Sequence, residues 1–139
     1  MKFDISYTFD AIPRLLEGAF ITMQVAILGF TLSVLLATII TIARTSLRSK
    51  ILNFIIAFYI SFIRGTPILV QIFLIYYVLP VFGLNLGPFT AGILAITLNS
   101  AAFVTEILRG GLASVPVGQF EAAKSLGISG FALLSLIHI

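Results

Sequence analysis

Long apolar runs separated by short polar segments divide the chain. The first run, residues 18–43, contains no charged side chain, and Arg44, Arg48 and Lys50 follow it directly. An uncharged run of this length predicts one tilted helix, at about 15–43, across roughly 30 Å of hydrocarbon. Positive clusters beside a span mark the cytoplasmic side, so the pattern predicts that the N-terminus is external.

Two further apolar runs predict a helix that returns across the membrane, at about 51–82, and a third that crosses again, at about 89–109. Between them the stretch VFGLNLGP has the glycines and the proline of a turn outside the membrane. Arg109 and Lys124 then fall on the cytoplasmic side, in agreement with the orientation of the first helix.

The rest of the chain predicts a cytoplasmic segment at 110–129 and the beginning of a fourth helix at 130–139. A spanning helix needs about 20 residues, and the last run has about ten. We therefore expect residues 1–139 to form a single, incomplete transmembrane domain: three complete helices and the start of a fourth.

Composition supports an all-α integral membrane protein. The chain is 60% hydrophobic and 9% charged, its mean hydropathy is +1.19, and a soluble domain carries about a quarter charged residues. The net charge of +3 is confined to short polar segments, which argues against a nucleic-acid partner. The absence of cysteine excludes disulfides and thiolate metal sites.

The first predicted helix carries a polar stripe. Gln24, Thr31 and Thr38 recur every seven residues and share one helix face. Such a stripe is typical of helix packing through hydrogen bonds, and the alternative is part of a polar cavity wall.

The second predicted helix is interrupted near mid-depth by Arg64-Gly65-Thr66-Pro67. Pro67 has no N–H, so the carbonyl of Ile63 loses its helical partner and the helix should bend. A guanidinium beside such a break suits a water-lined site and could bind a carboxylate through two parallel hydrogen bonds. The alternative for Arg64 is a structural ion pair with a carboxylate such as Glu106. Gln71 follows seven residues after Arg64.

The third predicted helix carries Asn99 and Ser100 near mid-depth. They either line a cavity or hydrogen-bond to a neighbouring helix. Glu106 and Arg109 are three residues apart and should form an intrahelical ion pair at the inner boundary.

The sequence lacks the residues of common catalytic and metal sites. It has no Gly-x-x-x-x-Gly-Lys-Ser/Thr phosphate loop. Its single histidine, His138, offers no metal cluster and no Ser/His/Asp set. We therefore expect no enzymatic activity, no metal and no cofactor in this chain.

The cytoplasmic segment predicts a short helix. Val115-Pro116-Val117-Gly118 is a turn, Glu121 to Leu126 favours a helix, and Gly127 is a natural stop. This helix either docks in a groove of another protein or is only a connector.

The stretch EAAKSLG followed by Ile137 resembles the EAA motif in membrane subunits of ATP-binding-cassette (ABC) importers. In that motif Glu-Ala-Ala is followed by three residues, Gly, nine residues and then Ile-x-Leu-Pro. Five residues of the chain fit the pattern: Glu121, Ala122, Ala123, Gly127 and Ile137. Ile139 occupies the position where Leu is usual.

Two longer stretches resemble the polar amino acid permeases of the histidine/glutamine type. RGTPILVQIFLIYYVLP, residues 64–80, is similar to their second helix, and LNSAAFVTEILRGGLASVPVGQFEAAKSLG, residues 98–127, to their third helix and coupling loop. The resemblance implies an ABC type I importer permease-like helix bundle in a bacterial inner (plasma) membrane. It also implies three kinds of partner: a cytoplasmic ABC ATPase dimer that binds the ATP, a second permease subunit and an external solute-binding protein.

The resemblance also implies roles for individual residues. Polar residues of the second and third helices would line the substrate path: Arg64, Thr66, Gln71, Asn99 and Ser100. Residues of the cytoplasmic helix would couple to the ATPase: Gly118, Glu121, Ala122, Ala123 and Gly127. Pro67, Glu106 and Arg109 would have structural roles.

Because the predicted fourth helix is short, we expect a permease truncated at its C-terminus. The alternative is a membrane fragment or assembly subunit that does not transport. A passive channel is a weaker hypothesis, since nothing in the sequence resembles a selectivity filter.

Overall fold

A computed structural model describes residues 6–47 and 49–128, and within these ranges the regular structure is helical throughout. Five α-helices occur in it: α1 (Ser6–Ser46), α2 (Lys50–Gly65), α3 (Ile68–Phe73), α4 (Pro88–Ala113) and α5 (Val117–Ser125). A π-helical turn, Leu74–Val78, and a 3₁₀ turn, Leu79–Phe82, continue α3. We call Ile68–Phe82 the arm. The predicted partial helix at 130–139 lies outside the described residues.

Within the described ranges α1 and α4 are each long and apolar enough to cross a membrane. Their apolar stretches are Ala11–Thr45 and Pro88–Ala113, both longer than the roughly 20 residues that a span requires. Both helices extend beyond the ranges that the sequence predicted for them. If α2 and the arm together form one span, the described residues contain three spans.

Small residues bring α1 and α4 together. The buried face of α1 consists of Gly29, Ser33, Ala37 and Thr41, spaced four residues apart. The buried face of α4 is similarly small: Ala91, Ala95, Thr97, Ala101, Ala102 and Thr105. Membrane helices gain little from the hydrophobic effect against one another, so small side chains stabilise a pair by letting the backbones approach closely.

The two helices run parallel. Gly29 of α1 lies against Ile96 of α4, and farther along both helices Arg44 bonds to Glu106. Parallel packing of α1 and α4 is what the alternating topology in the sequence predicts for the first and third crossings.

The predicted packing role of the polar stripe on α1 is wrong for the described helices. Gln24, Thr31 and Thr38 are all exposed, and the Thr38 hydroxyl donates to the carbonyl of Val34 in its own helix. The reason is steric, because the backbones approach most closely along a face of smaller residues. The alternative of a cavity wall stays open.

The predicted bend at Pro67 is present. Helix α2 ends at Gly65, Pro67 is the N-cap of α3, and the axes of α2 and the arm differ by 108°. The segment predicted as one helix at 51–82 is therefore two pieces that meet at Gly65-Thr66-Pro67, which we call the break. One face of α2, formed by Ile56, Ile60 and Ile63, packs against α4.

Candidate functional site

The side chain of Gln71 satisfies the backbone groups that the break leaves free. Its Nε2 lies 2.9 Å from the carbonyl oxygen of Ile63 and 3.1 Å from that of Thr66. Nε2 also lies 2.8 Å from the Thr66 hydroxyl, which in turn donates to the carbonyl of Phe62. A residue of the arm thus caps the C-terminal end of α2, and unsatisfied carbonyls would be costly at membrane depth.

Asn99 of α4 holds Gln71 from the other side. Its Nδ2 donates to Oε1 of Gln71 over 3.1 Å, and Gln71 is only 5% exposed. The structure therefore brings three of the predicted path residues, Thr66, Gln71 and Asn99, into one hydrogen-bonded group. It also gives Asn99 the interhelical bond that was one of its two sequence interpretations.

Successive residues of α4 connect to different neighbours. The Thr97 hydroxyl donates to the carbonyl of Gly29 in α1 over 3.4 Å. The Tyr59 hydroxyl of α2 donates to the carbonyl of Leu98 over 2.6 Å, and Asn99 bonds to the arm. We call these three residues of α4 the junction, because α1, α2 and the arm all meet there.

Arg64 lies beside the break with its guanidinium carbon 5.3 Å from the ring centre of Phe103. Its side chain is exposed, and a cation over an aromatic face is a favourable contact. The alternative ion pair with Glu106 is absent from the described residues, where Glu106 pairs with two other arginines. Ser100 is half-buried and follows the junction directly.

The predicted pair of Glu106 and Arg109 is confirmed. Arg109 donates from Nε and Nη2 to the carboxylate, with a shortest distance of 2.7 Å. Sequence reasoning missed a second partner, Arg44 of α1, whose Nη1 lies 3.2 Å from Oε1 of Glu106. The signal was present in the positive cluster after the first helix, but pairing it required knowing that α1 and α4 are parallel neighbours.

Helix α5 carries the residues that were predicted to couple to an ATPase. Gly118, Glu121 and Ala122 are exposed, whereas Ala123 is buried. Gly127 has φ +68°, and the N–H of Ile128 bonds back to the carbonyl of Ala123 over 2.9 Å. These features define a Schellman C-cap.

The exposed surface of α5 mixes apolar and charged side chains. Val117 is 70% exposed and Leu126 is 76% exposed, and Glu121 and Lys124 are exposed as well. A short, capped helix with this surface can dock in a groove of another protein.

Two cavities of the described region are lined mainly by apolar side chains. One cavity, of about 480 Å³, lies between α1 and α4, and none of the predicted path residues lines it. A cavity of about 170 Å³ adjoins the break and is lined by Phe62, Ile63, Gln71, Leu74, Ile75 and Leu98. In residues 6–47 and 49–128, no group of three His, Cys, Asp or Glu side chains could hold a metal ion.

Comparisons with known proteins identify the family. Residues 29–138 match the family described as "Binding-protein-dependent transport system inner membrane component". The L-cystine transport system permease protein TcyB of Bacillus subtilis is 40% identical over 117 residues, which are 84% of this chain and 50% of that protein. The glutamine transport system permease protein GlnP of Escherichia coli is 40% identical over 131 residues, 93% of this chain and 59% of that protein.

A solved structure has the same fold. It is described as a crystal structure of an amino acid ABC transporter with histidines, and it superposes with a TM-score of 0.83 at 38% identity. The match covers 96% of this chain and 62% of the other. This chain thus spans between half and two thirds of the proteins it matches. On the family match and these identities, the chain belongs to the inner membrane components of binding-protein-dependent transport systems.

Proposed function

We propose that the chain is a membrane-spanning permease subunit of an ABC importer that carries polar amino acids. The observation that carries the proposal is α5, a capped helix with the EAA residues, attached to the cytoplasmic end of α4 in a chain of this family. Relatives named for L-cystine, glutamine and arginine transport support the substrate class.

The proposed partners follow from the family, and α5 is the proposed contact with one of them. A cytoplasmic ABC ATPase dimer binds α5 through Glu121 and the neighbouring exposed residues and hydrolyses the ATP, so this chain needs no cofactor. A second permease subunit completes the pathway, and an external solute-binding protein delivers the substrate. The chain lies in a bacterial inner membrane as a multi-pass protein with an external N-terminus, as the positive residues after α1 favour.

The proposed substrate path passes the break. Arg64 is its charged group, since an exposed guanidinium near mid-depth can bind the carboxylate that every amino acid carries. The remaining path residues lie around the break and the junction: Thr66, Gln71, Asn99 and Ser100.

Recruitment of the ATPase to membranes tests the docking role of α5. In cells that produce the chain with its ATPase, Glu121→Lys should release the ATPase from the membrane fraction, because the substitution reverses the charge at the centre of the proposed contact. Glu17→Lys is the matched control, since Glu17 is also exposed but lies in the N-terminal half of α1. Undiminished recruitment by Glu121→Lys contradicts the proposal.

A further inference from the structure

We propose that Gln71 is a positioning residue: its side-chain amide sets the angle between α2 and the arm, and Asn99 holds that amide in place. Through the break, the same contacts fix where Arg64 stands. This role is additional to the path-lining role that is proposed above for Gln71.

The hydrogen bonds of Gln71 join the arm to the end of α2. Pro67 removes the only main-chain donor that a continuous helix would offer to the Ile63 carbonyl. The Thr66 N–H reaches this carbonyl only at 3.4 Å, whereas Nε2 of Gln71 reaches it at 2.9 Å. The donor Nε2 belongs to the arm and the acceptor carbonyl of Ile63 belongs to α2. This hydrogen bond therefore holds only while the axes of α2 and the arm keep their angle.

The burial of Gln71 makes the partners of its side-chain amide necessary. At 5% exposure the amide has little access to a competing solvent, and its Oε1 has Asn99 Nδ2 as a partner at 3.1 Å. Loss of either partner would leave a buried polar group unsatisfied, which is more costly than the bond itself. The amide orientation is thus defined from both sides.

Asn99 lies where α4 is bonded to both neighbouring helices. Asn99 follows two α4 residues that bond to α1 and α2, so its own helix is held against both neighbours. Asn99 therefore holds the arm in a fixed position relative to the other helices. The position of Arg64 is fixed as well, because Gln71 binds the carbonyl of its chain neighbour Ile63.

The distance between two spin labels tests the inference in the full chain reconstituted in lipid vesicles. The chain has no cysteine, so labels can be placed at Ser61 of α2 and Val81 of the arm, both exposed, without removing native thiols. A reference pair at Ile42 and Ile107, also exposed, reports the packing of α1 against α4.

Three substitutions separate the contacts. Gln71→Met keeps the length of the side chain but removes all its hydrogen bonds, and Asn99→Leu removes only the bond that holds Oε1. Ser100→Ala is the neighbouring control, because no side-chain hydrogen bond of Ser100 occurs within the described residues. The loss of one hydrogen bond should lower the ratio of molecules with the parent angle between α2 and the arm to molecules with other angles about three- to fivefold.

The inference predicts that Gln71→Met changes the 61–81 distance distribution strongly and Asn99→Leu changes it less. Ser100→Ala and the 42–107 pair should show the parent distribution. An unchanged 61–81 distribution in Gln71→Met, or equal changes at both label pairs, would overturn the inference. Any effect of Gln71 on uptake through Arg64 rests on the proposed function. The spin-label distances can be measured without transport, so failure of the positioning role is distinguishable from failure of the proposed function.

Discussion

At the residue scale, one glycine determines how closely α1 and α4 approach. A Cβ at Gly29 would lie 2.7 Å from Cγ2 of Ile96 and 3.0 Å from its Cβ. Ile96 is β-branched and has no flexible end to move aside. Gly92 of α4 faces the same interface, but a Cβ there would meet Val25 at an ordinary 3.6 Å. The two glycines therefore differ in contact distance while sharing a helical backbone.

Replacement of Gly29 by alanine should loosen the helix pair. Gly29→Ala is expected to destabilise the protein by about 1–3 kcal/mol, the usual cost of overpacking. Gly92→Ala should be neutral or slightly stabilising, since alanine favours the helix. Pulse proteolysis across an SDS titration measures the difference, and equal midpoints for the two variants would show that the close approach at Gly29 is unimportant.

The arginines around Glu106 should differ in effect. Arg44 links α1 to α4, whereas Arg109 bonds to Glu106 within the same helix. Arg44→Gln is therefore expected to broaden the 42–107 spin-label distance distribution, with Arg109→Gln as the matched control of the same charge change. The effect should be modest, because all three side chains are partly exposed. Broadening by Arg109→Gln alone would contradict this assignment.

At the scale of elements, the sequence predicted where helices stop better than how they are arranged. The missing N–H of Pro67 located the break, and Gly127 located the end of α5. The 108° angle at the break depends on Gln71 and Asn99, which are far apart in sequence. Likewise, the seven-residue stripe of α1 indicated one face, but contact with α4 selected another because its side chains are smaller.

The cap of α5 provides a prediction at this scale. Gly127 has φ +68°, a conformation that costs alanine roughly 1 kcal/mol. Gly127→Ala should therefore fray the C-terminal turn of α5 and speed hydrogen exchange at the Ile128 amide. Gly118→Ala is the control, because a Cβ meets no atom within 4 Å at either glycine, whereas Gly118 lies within α5 and has no positive φ. If both variants exchange at the parent rate, the Schellman cap does not hold this end of α5.

At the scale of the whole molecule, two groups of candidate residues are connected by one helix, α4. The junction, at Thr97 to Asn99, is near the middle of α4, and α5 follows the C-terminal end of α4. Of the junction, the sequence singled out only Asn99, as a polar residue within an apolar run, and the EAA pattern indicated α5. The sequence could not predict that Gln71 and Asn99 bond to each other, or that Arg44 joins Glu106, because both contacts depend on the packing of separate helices.

The most direct test of the proposed function is ATP hydrolysis by the partner ATPase. In vesicles that contain the chain, its ATPase, the second permease subunit and the solute-binding protein, a polar amino acid should raise the hydrolysis rate. Glu121→Lys should abolish this increase and Glu17→Lys should preserve it. A hydrolysis rate that does not respond to any polar amino acid in the parent complex would contradict the assignment as an importer subunit.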